Sequence, residues 1–369
     1  MRRFILVALI VVAGCGERGA ITLMPSAKGV GTSESIFIGT TRGPDPETGE
    51  ALGRARSGKT TYMRLDVSVP PDRVDGDITW PTPGRPVDPT KDFVTLNAVA
   101  FDGSANFRRN LAAALARQKA AEPEAIIFVH GFDNNFAEGV YRLAQLGHDL
   151  KLKGTLIHYS WPSRASALGY VYDRDSVMFA RDGLTNLINQ VRAAGARRII
   201  IVAHSMGSML VMESLRDLAI AKDRATFSRI AAVALLSPDM DVDVFRQDAQ
   251  RIGPLPQPFM IFTSTDDKAL RLSAFLTGEA NRVGNLASAA NLSDLKVTII
   301  DTTAYSTGMG HFNIGDSPEL LRLMTQLGSA YAAMANDQSR RTGLLGGAVL
   351  TVQNATQIIL SPVAAIADQ

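Results

Sequence analysis

The 369-residue chain has one cysteine, Cys15, so no disulfide can form within it. It also lacks a charge surplus. Lys and Arg number 38 against 36 Asp and Glu, and two of the basic residues are Arg2 and Arg3 in the first three positions. Without that pair the domain is balanced, which removes the electrostatic footprint expected of a nucleic-acid binder. No paired cysteines, H-x-x-x-H or acid-rich loop has metal-ligand spacing, so the sequence predicts neither a metal nor a cofactor. No apolar run reaches the roughly 20 residues that a membrane-spanning helix needs.

The opening "MRRFILVALIVVAGC" supplies a shorter run. A basic start precedes ten apolar residues, Phe4 to Ala13, as in a secretory leader. Val12 to Cys15, "VAGC", resembles the lipobox of bacterial lipoproteins, in which the leader is removed before the Cys and the thiol is acylated. The expectation is a lipoprotein signal peptide over 1–14, lipidation at Cys15 and an anchor-and-tether segment over 15–34. Gly16 is not the Asp that retains such proteins in the inner membrane, so the resemblance implies a protein of the bacterial cell envelope. It would be lipid-anchored to the outer membrane and face the periplasm.

Three strand-like segments follow: Ser35 to Arg42, Thr61 to Val69 and Asp92 to Phe101. Six prolines between Pro70 and Pro89 make a loop of the stretch before the third. Gly53 to Thr60, "GRARSGKT", matches the phosphate-binding pattern G-x-x-x-x-G-K-[ST] letter for letter. A phosphate loop must follow a buried strand and open a helix. Here a polar, turn-rich stretch precedes it, and residues 60–69 alternate with period two, which is a strand. The match is read as a surface turn, and no nucleotide is expected.

From Ser104 the pattern becomes strand–helix alternation. Ser104 or Asn106 is the expected cap of the first helix. Six apolar runs begin at Ala125, Thr155, Arg197, Ile230, Pro258 and Lys296, with helices between them. Among these, helices are expected over Ser176 to Ala194, Gly207 to Ala219 and Asp241 to Arg251, from about Ala269, and over Ser317 to Met334. Such a chain builds an α/β fold, a mostly parallel, doubly wound sheet with helices on both faces. Its chemistry belongs in loops at the carboxyl ends of strands. The tail, 335–369, carries two short apolar pieces, read as a packing arm or an interfacial segment.

One such loop carries a nucleophile elbow. "IIIVAHSMGS" runs from strand through Ala203-His204-Ser205-Met206-Gly207 into helix, a G-x-S-x-G pattern with Ala first. A strained turn there needs small neighbours and presents the Ser205 hydroxyl above the sheet. A serine hydroxyl needs a base. Of five histidines, His204 points away from its neighbour, His130 and His158 belong to strands and His148 to a helix. His311, in a Gly-flanked loop after the last strand, is the candidate. The orienting acid should lie between Ser205 and His311, and two strand ends offer one: Asp267 is preferred, Asp239 second. The backbone N–H groups of Met206 and Phe132 are the expected oxyanion donors.

Together, "FVHGFDNNFAEGVYRLAQL", "HYSWPSR", "GYVYDRDS", "AHSMG", "LLSPDMDVDVFR" and "TSTDDKALRLS" resemble a bacterial branch of the α/β-hydrolase superfamily, esterase-like and largely uncharacterised. The likeness spans roughly Ser35 to Met334 and implies an α/β-hydrolase fold over 35–334. It also implies Asp267 as the acid, and an acyl pocket at Ser160 to Ser163 lined by Trp161. The implied activity is that of a serine hydrolase, carboxylesterase- or lipase-like, acting on a small-molecule or lipid ester. The alternative of a different kind is an envelope-tethered binding or assembly factor that keeps the fold without turnover.

Overall fold

The computed structural model describes residues 18–278, 281–306, 310–324 and 347–360. Strands β1 (Thr32–Gly43), β2 (Ala55–Val69) and β3 (Val94–Phe101) form an antiparallel meander. The six apolar runs become β4 (Glu124–Val129), β5 (Thr155–Ser160), β6 (Arg198–His204), β7 (Ile230–Leu236), β8 (Phe259–Thr263) and β9 (Thr298–Asp301). Two more strands, β10 (Gly347–Val352) and β11 (Ala355–Leu360), pair as a hairpin.

All eleven belong to one sheet in the order β10-β11-β9-β8-β7-β6-β4-β5-β1-β2-β3. From β11 to β1 every pairing is parallel. The central runs are apolar on successive residues because both faces are covered. Ile127 and Val129 belong to one buried cluster, and Ile126 and Phe128 to another on the opposite face.

Helices α1 (Gly103–Arg117), α3 (Tyr170–Ala193), α4 (Met206–Ile220), the short α5 (Arg224–Phe227) and α6 (Val242–Ile252) share the first face. On the second, α2 (Phe136–Asp149) packs on β1 and β5. It starts at a full capping box, in which Asn135 accepts from the Glu138 N–H while the Glu138 side chain returns to the Asn135 N–H. Helix α7 (Lys268–Thr277) follows β8, and the single turn α8 (Asn313–Asp316) follows β9.

Four expectations change. Residues 18–34 are no free tether: Arg18 pairs with Asp133 and Glu138, Leu23 bridges Thr95, and β1 already begins at Thr32. Helix α3 starts at Tyr170, six residues earlier than the periodicity of Ser176 to Ala194 indicates. Polar and aromatic side chains fill its first turn and mask the apolar stripe. The N-terminal cap of α1 is Asp102, ahead of Ser104 or Asn106. Within the tail, residues 347–352 and 355–360 form a β-hairpin that extends the sheet, with β11 parallel to β9. The expected final helix is helical over 318–324, and the rest of it lies outside the described residues, as do the leader and Cys15.

The proline-rich loop is a loop, as expected, and it is anchored. Arg73 pairs with Asp149 at the end of α2, and Trp80 stacks on Tyr141 with ring centroids 4.9 Å apart. The "GRARSGKT" stretch is not the surface turn expected: Ala55 to Thr60 already belong to β2, no helix follows, and Lys59 is exposed on the strand.

The hairpin contributes to the core through Ala355, Ile358 and Leu360. Leu360→Ala should therefore lower unfolding stability by about 2–5 kcal/mol, the usual cost of truncating a buried Leu. Denaturant midpoints with an unchanged slope would measure it. A loss under about 0.5 kcal/mol is the surface value and would mean the tail does not pack this way.

Candidate active site

Ser205 sits between the last residue of β6 and the first of α4, at φ 53° and ψ −124°. That backbone is rarely adopted by a side-chain-bearing residue, so the surroundings must enforce it. Two glycines show how. A Cβ on Gly207 would lie 2.5 Å from the His130 carbonyl oxygen and 2.7 Å from that of Val129. A Cβ on Gly131 would lie 2.7 Å from His204 Nδ1 and 2.9 Å from the Ser205 Cβ. The elbow is therefore wedged between the end of β4 and the loop that leaves it. The Ser205 N–H also donates to Leu236 O of β7 at 2.9 Å. Ser205 is only 2% exposed.

His311 and Asp267 meet directly, with Nδ1 2.7 Å from Oδ2. Asp267 is buried at the N-terminal cap of α7, where its Oδ1 accepts the Leu270 N–H at 2.9 Å. Both carboxylate oxygens are thus fixed, one by a helix start and one by the imidazole. His204 adjoins this pair: its ring centroid is 4.7 Å from that of His311, and its Nε2 lies 3.3 Å from the His311 carbonyl. The residue before Ser205 is therefore in contact with His311. Burial pushes the His204 imidazole well below its ordinary range, and the neighbouring His311 adds to that.

Asp239 belongs to a different cluster. It accepts from Ser273 Oγ at 2.6 Å and from the Tyr170 hydroxyl at 3.1 Å, and Arg282 Nε lies 3.6 Å away. Burial, with Asp239 beside it, raises the Tyr170 phenol to about 12. The two acids that sequence position alone left open are separated by their partners, and His311 pairs with Asp267.

Met206 opens α4, so its N–H is one of those a helix leaves without an intrahelical acceptor. Phe132 lies in the loop over the elbow, with its ring edge-on to Tyr170 at 5.5 Å. Trp161 requires a correction. It is fully buried, its ring stacks on His130 at 4.8 Å, and its indole N–H donates to the His130 carbonyl at 2.7 Å. A sealed ring lines no open acyl pocket, and it braces the end of β4 instead.

Two residues in this brace were absent from the sequence-based site. Arg42, at the end of β1, is buried and donates to Ser160 Oγ, Gly53 O, Ser163 O and, at 2.6 Å, Asn134 O. Burial lowers its guanidinium to about 10. Asp173, in the first turn of α3, accepts from Ser163 Oγ at 2.5 Å, the Arg164 N–H at 2.6 Å and the Asp133 N–H at 3.4 Å. Arg42 and Asp173 hold the loop of Phe132 from two sides, and Arg18 ties it to the N-terminal segment at Asp133. The signal for Arg42 was a charge closing the strand-like segment Ser35 to Arg42. For Asp173 it was the quoted "GYVYDRDS".

Among the described residues no three His, Cys, Asp or Glu side chains cluster as metal ligands, and no helix is long and apolar enough to cross a membrane.

Residues 104–327 match the family described as alpha/beta hydrolase of unknown function (DUF900). The chain belongs to that family and has the α/β-hydrolase fold. An uncharacterized protein of Nostoc sp. is 38% identical over 63 residues, 17% of this chain and 16% of that protein. This chain therefore matches only a small part of that relative's length. Among solved structures, Aspergillus fumigatus lipase B aligns with TM-score 0.37 and 13% identity over 62% of this chain and 57% of that one. A Pyrobaculum calidifontis esterase aligns with TM-score 0.36 and 12% identity over 84% and 87%. The family match carries the assignment.

Burial raises the Asp173 carboxyl to about 6 against an ordinary carboxylate near 3.9. The folded protein therefore holds this proton more tightly than the unfolded chain, so stability falls as pH rises from about 4 to 6. Asp248, raised to about 6 by burial and by Glu213, contributes in the same direction. Asp173→Asn should flatten part of that slope, by at most about 3 kcal/mol across the window. Unfolding midpoints measured from pH 4 to 7 check it, and an unaltered slope would contradict the assignment.

Proposed function

We propose that this α/β-hydrolase family member is a serine hydrolase of carboxylic esters, with Ser205, His311 and Asp267 as its triad. The observation that carries the reading is a serine held at positive φ at a strand–helix junction, in contact through His204 with an imidazole paired to a buried carboxylate. In this reading the Ser205 Oγ attacks the acyl carbon while His311 Nε2 takes its proton. Asp267 Oδ2, on Nδ1–H, keeps the imidazole in the tautomer that leaves Nε2 free to accept and stabilises the imidazolium.

The oxyanion of the tetrahedral intermediate is received by the N–H groups of Met206 and Phe132. Backbone donors fixed before reaction need no reorganisation, and losing one typically costs about 10²–10³ in rate. Collapse breaks the C–O bond, and His311 returns the proton to the leaving alcohol. Water then attacks the acyl-enzyme, gives its proton to His311, and releases the acid and the serine hydroxyl.

Asp239 is assigned no part in the chemistry, because Tyr170, Ser273 and Arg282 surround it. The lipid anchor at Cys15 and the outer-membrane, periplasm-facing location are part of the same proposal. They rest on the leader sequence alone.

An activity-directed fluorophosphonate should label Ser205, and Ser205→Ala should abolish both labelling and turnover of p-nitrophenyl acetate. Asp267→Asn should cost about 10⁴ in kcat, while Asp239→Asn keeps turnover within about tenfold. Full activity in Ser205→Ala would sink the triad. Folded protein that neither labels nor turns over any ester would favour the binding-factor alternative. Metabolic labelling with a fatty acid, lost in Cys15→Ser, tests the anchor.

A further inference from the structure

With Trp161 sealed inside, the apolar surface near the serine lies elsewhere. A cleft of about 460 Å³ runs between the start of α3 and the end of α7, lined by Leu168, Tyr170, Val171, Met178, Met209 and Leu276. Its walls turn apolar side chains outward: Leu168 is 98% exposed, Val171 75% and Leu276 54%. Scattered exposed apolar residues are ordinary, but two facing elements that both present them mark a surface awaiting an occupant. On α7 the exposed residues Leu272, Phe275 and Leu276 fall at i, i+3 and i+4, a single stripe.

The position of the cleft identifies the occupant. Met209 lies in the first turn of α4, the helix that begins directly after Ser205. Tyr170 touches Phe132 of the loop over the elbow, and its hydroxyl, bonded to Asp239 and Ser273, ties the α3 wall to the α7 wall. The cleft is therefore separated from one proposed oxyanion donor, Phe132, by the single ring of Tyr170, and it reaches the first turn of the helix that follows Ser205. Its charged lining residues, Arg174 and Asp175, are of opposite sign, so the cleft selects no ionic ligand.

We infer that this cleft is the acyl subsite and that the substrate is an ester of a long aliphatic acid. The chain would lie between Leu168, Val171 and Leu276, with its first methylenes against Met209 and Tyr170. This inference rests on the serine-hydrolase reading above. It also gives the Asp239 cluster a role: Asp239 positions Tyr170 and so shapes the cleft, acting on substrate choice and not on the proton transfers.

The test is a series of p-nitrophenyl esters from acetyl through butyryl and octanoyl to dodecanoyl, kept below their aggregation concentrations. The series is run on the wild type and on the double variant Val171→Ser, Leu276→Ser. Both positions are exposed, so folding is not at stake. In the wild type kcat/KM should rise by up to about fourfold per added methylene until the cleft is full. The double variant should lose about tenfold on the dodecanoyl ester, mainly through KM, and remain within twofold on the acetyl ester.

Acetyl turnover with a flat chain-length profile overturns this inference alone. So does a variant that changes all esters equally, or one that changes only the oligomeric state in sedimentation, which would assign the face to a second copy. Absence of turnover on every ester, with no phosphonate label on Ser205, overturns the hydrolase reading and this inference with it.

Discussion

The site depends on one steric constraint, the close approach of β4 and β6 where they end. Gly207 has no room for a Cβ because the carbonyls of Val129 and His130 occupy that space, and Gly131 has none because His204 and Ser205 do. A residue squeezed between two such contacts cannot relax into helical backbone, so Ser205 keeps a positive φ. The strain is sustained by the most buried part of the sheet, where β4 and β6 pair in register from Glu124 with Arg198 to Val129 with Ala203. Local distortions costing of order 1–3 kcal/mol persist only where the surroundings over-determine them, and the centre of a sheet covered on both faces does so.

The same constraint explains why so much buried polarity lies beside the elbow. A loop that must stay within van der Waals contact of Ser205 has backbone groups that are partly screened from water, and such groups are favoured by having a partner. Arg42 meets Asn134 O, Asp173 meets the Asp133 N–H, and the Trp161 indole meets His130 O. A planar guanidinium suits this role because its five fixed N–H donors serve several carbonyls at once. The cost is seen in the depressed Arg42 and the raised Asp173. A charged group is kept at each end of the brace despite burial, which is reasonable where the geometry of a loop matters more than its solvation.

Much of this was legible in the sequence, and the exceptions share a cause. The six apolar runs became β4 to β9, because a strand covered on both faces must be continuously apolar. Ser205 was legible because the elbow's small neighbours are a local demand. Residues whose role depends on which way a side chain turns were not legible. Trp161 sits in a motif next to the site, yet its ring turns inward to His130. The tail's short pieces carry no period that separates a strand from a packing arm, and only the open edge of β9 makes strands of them. Residues 18–31 lack periodicity because single contacts, such as Arg18 to Asp133 and the bridge from Leu23, hold them, with no repeating face.

The two acids at neighbouring strand ends show how the fold separates chemically identical groups. Asp239 follows β7 and Asp267 follows β8, and both are buried. Asp267 caps α7, so one oxygen is held by the Leu270 N–H, and the other is aimed at whatever lies beyond the helix start, which is His311. Asp239 caps no helix, and two hydroxyls and a guanidinium gather on it. A carboxylate with one oxygen fixed and one directed can orient an imidazole. One surrounded on both oxygens can only hold its neighbours together. Here the neighbour is Tyr170, whose ring touches Phe132 on one side and the apolar cleft on the other. The proposed division of roles thus follows from where α7 begins, a property of the backbone that the spacing of the acids along the chain does not reveal.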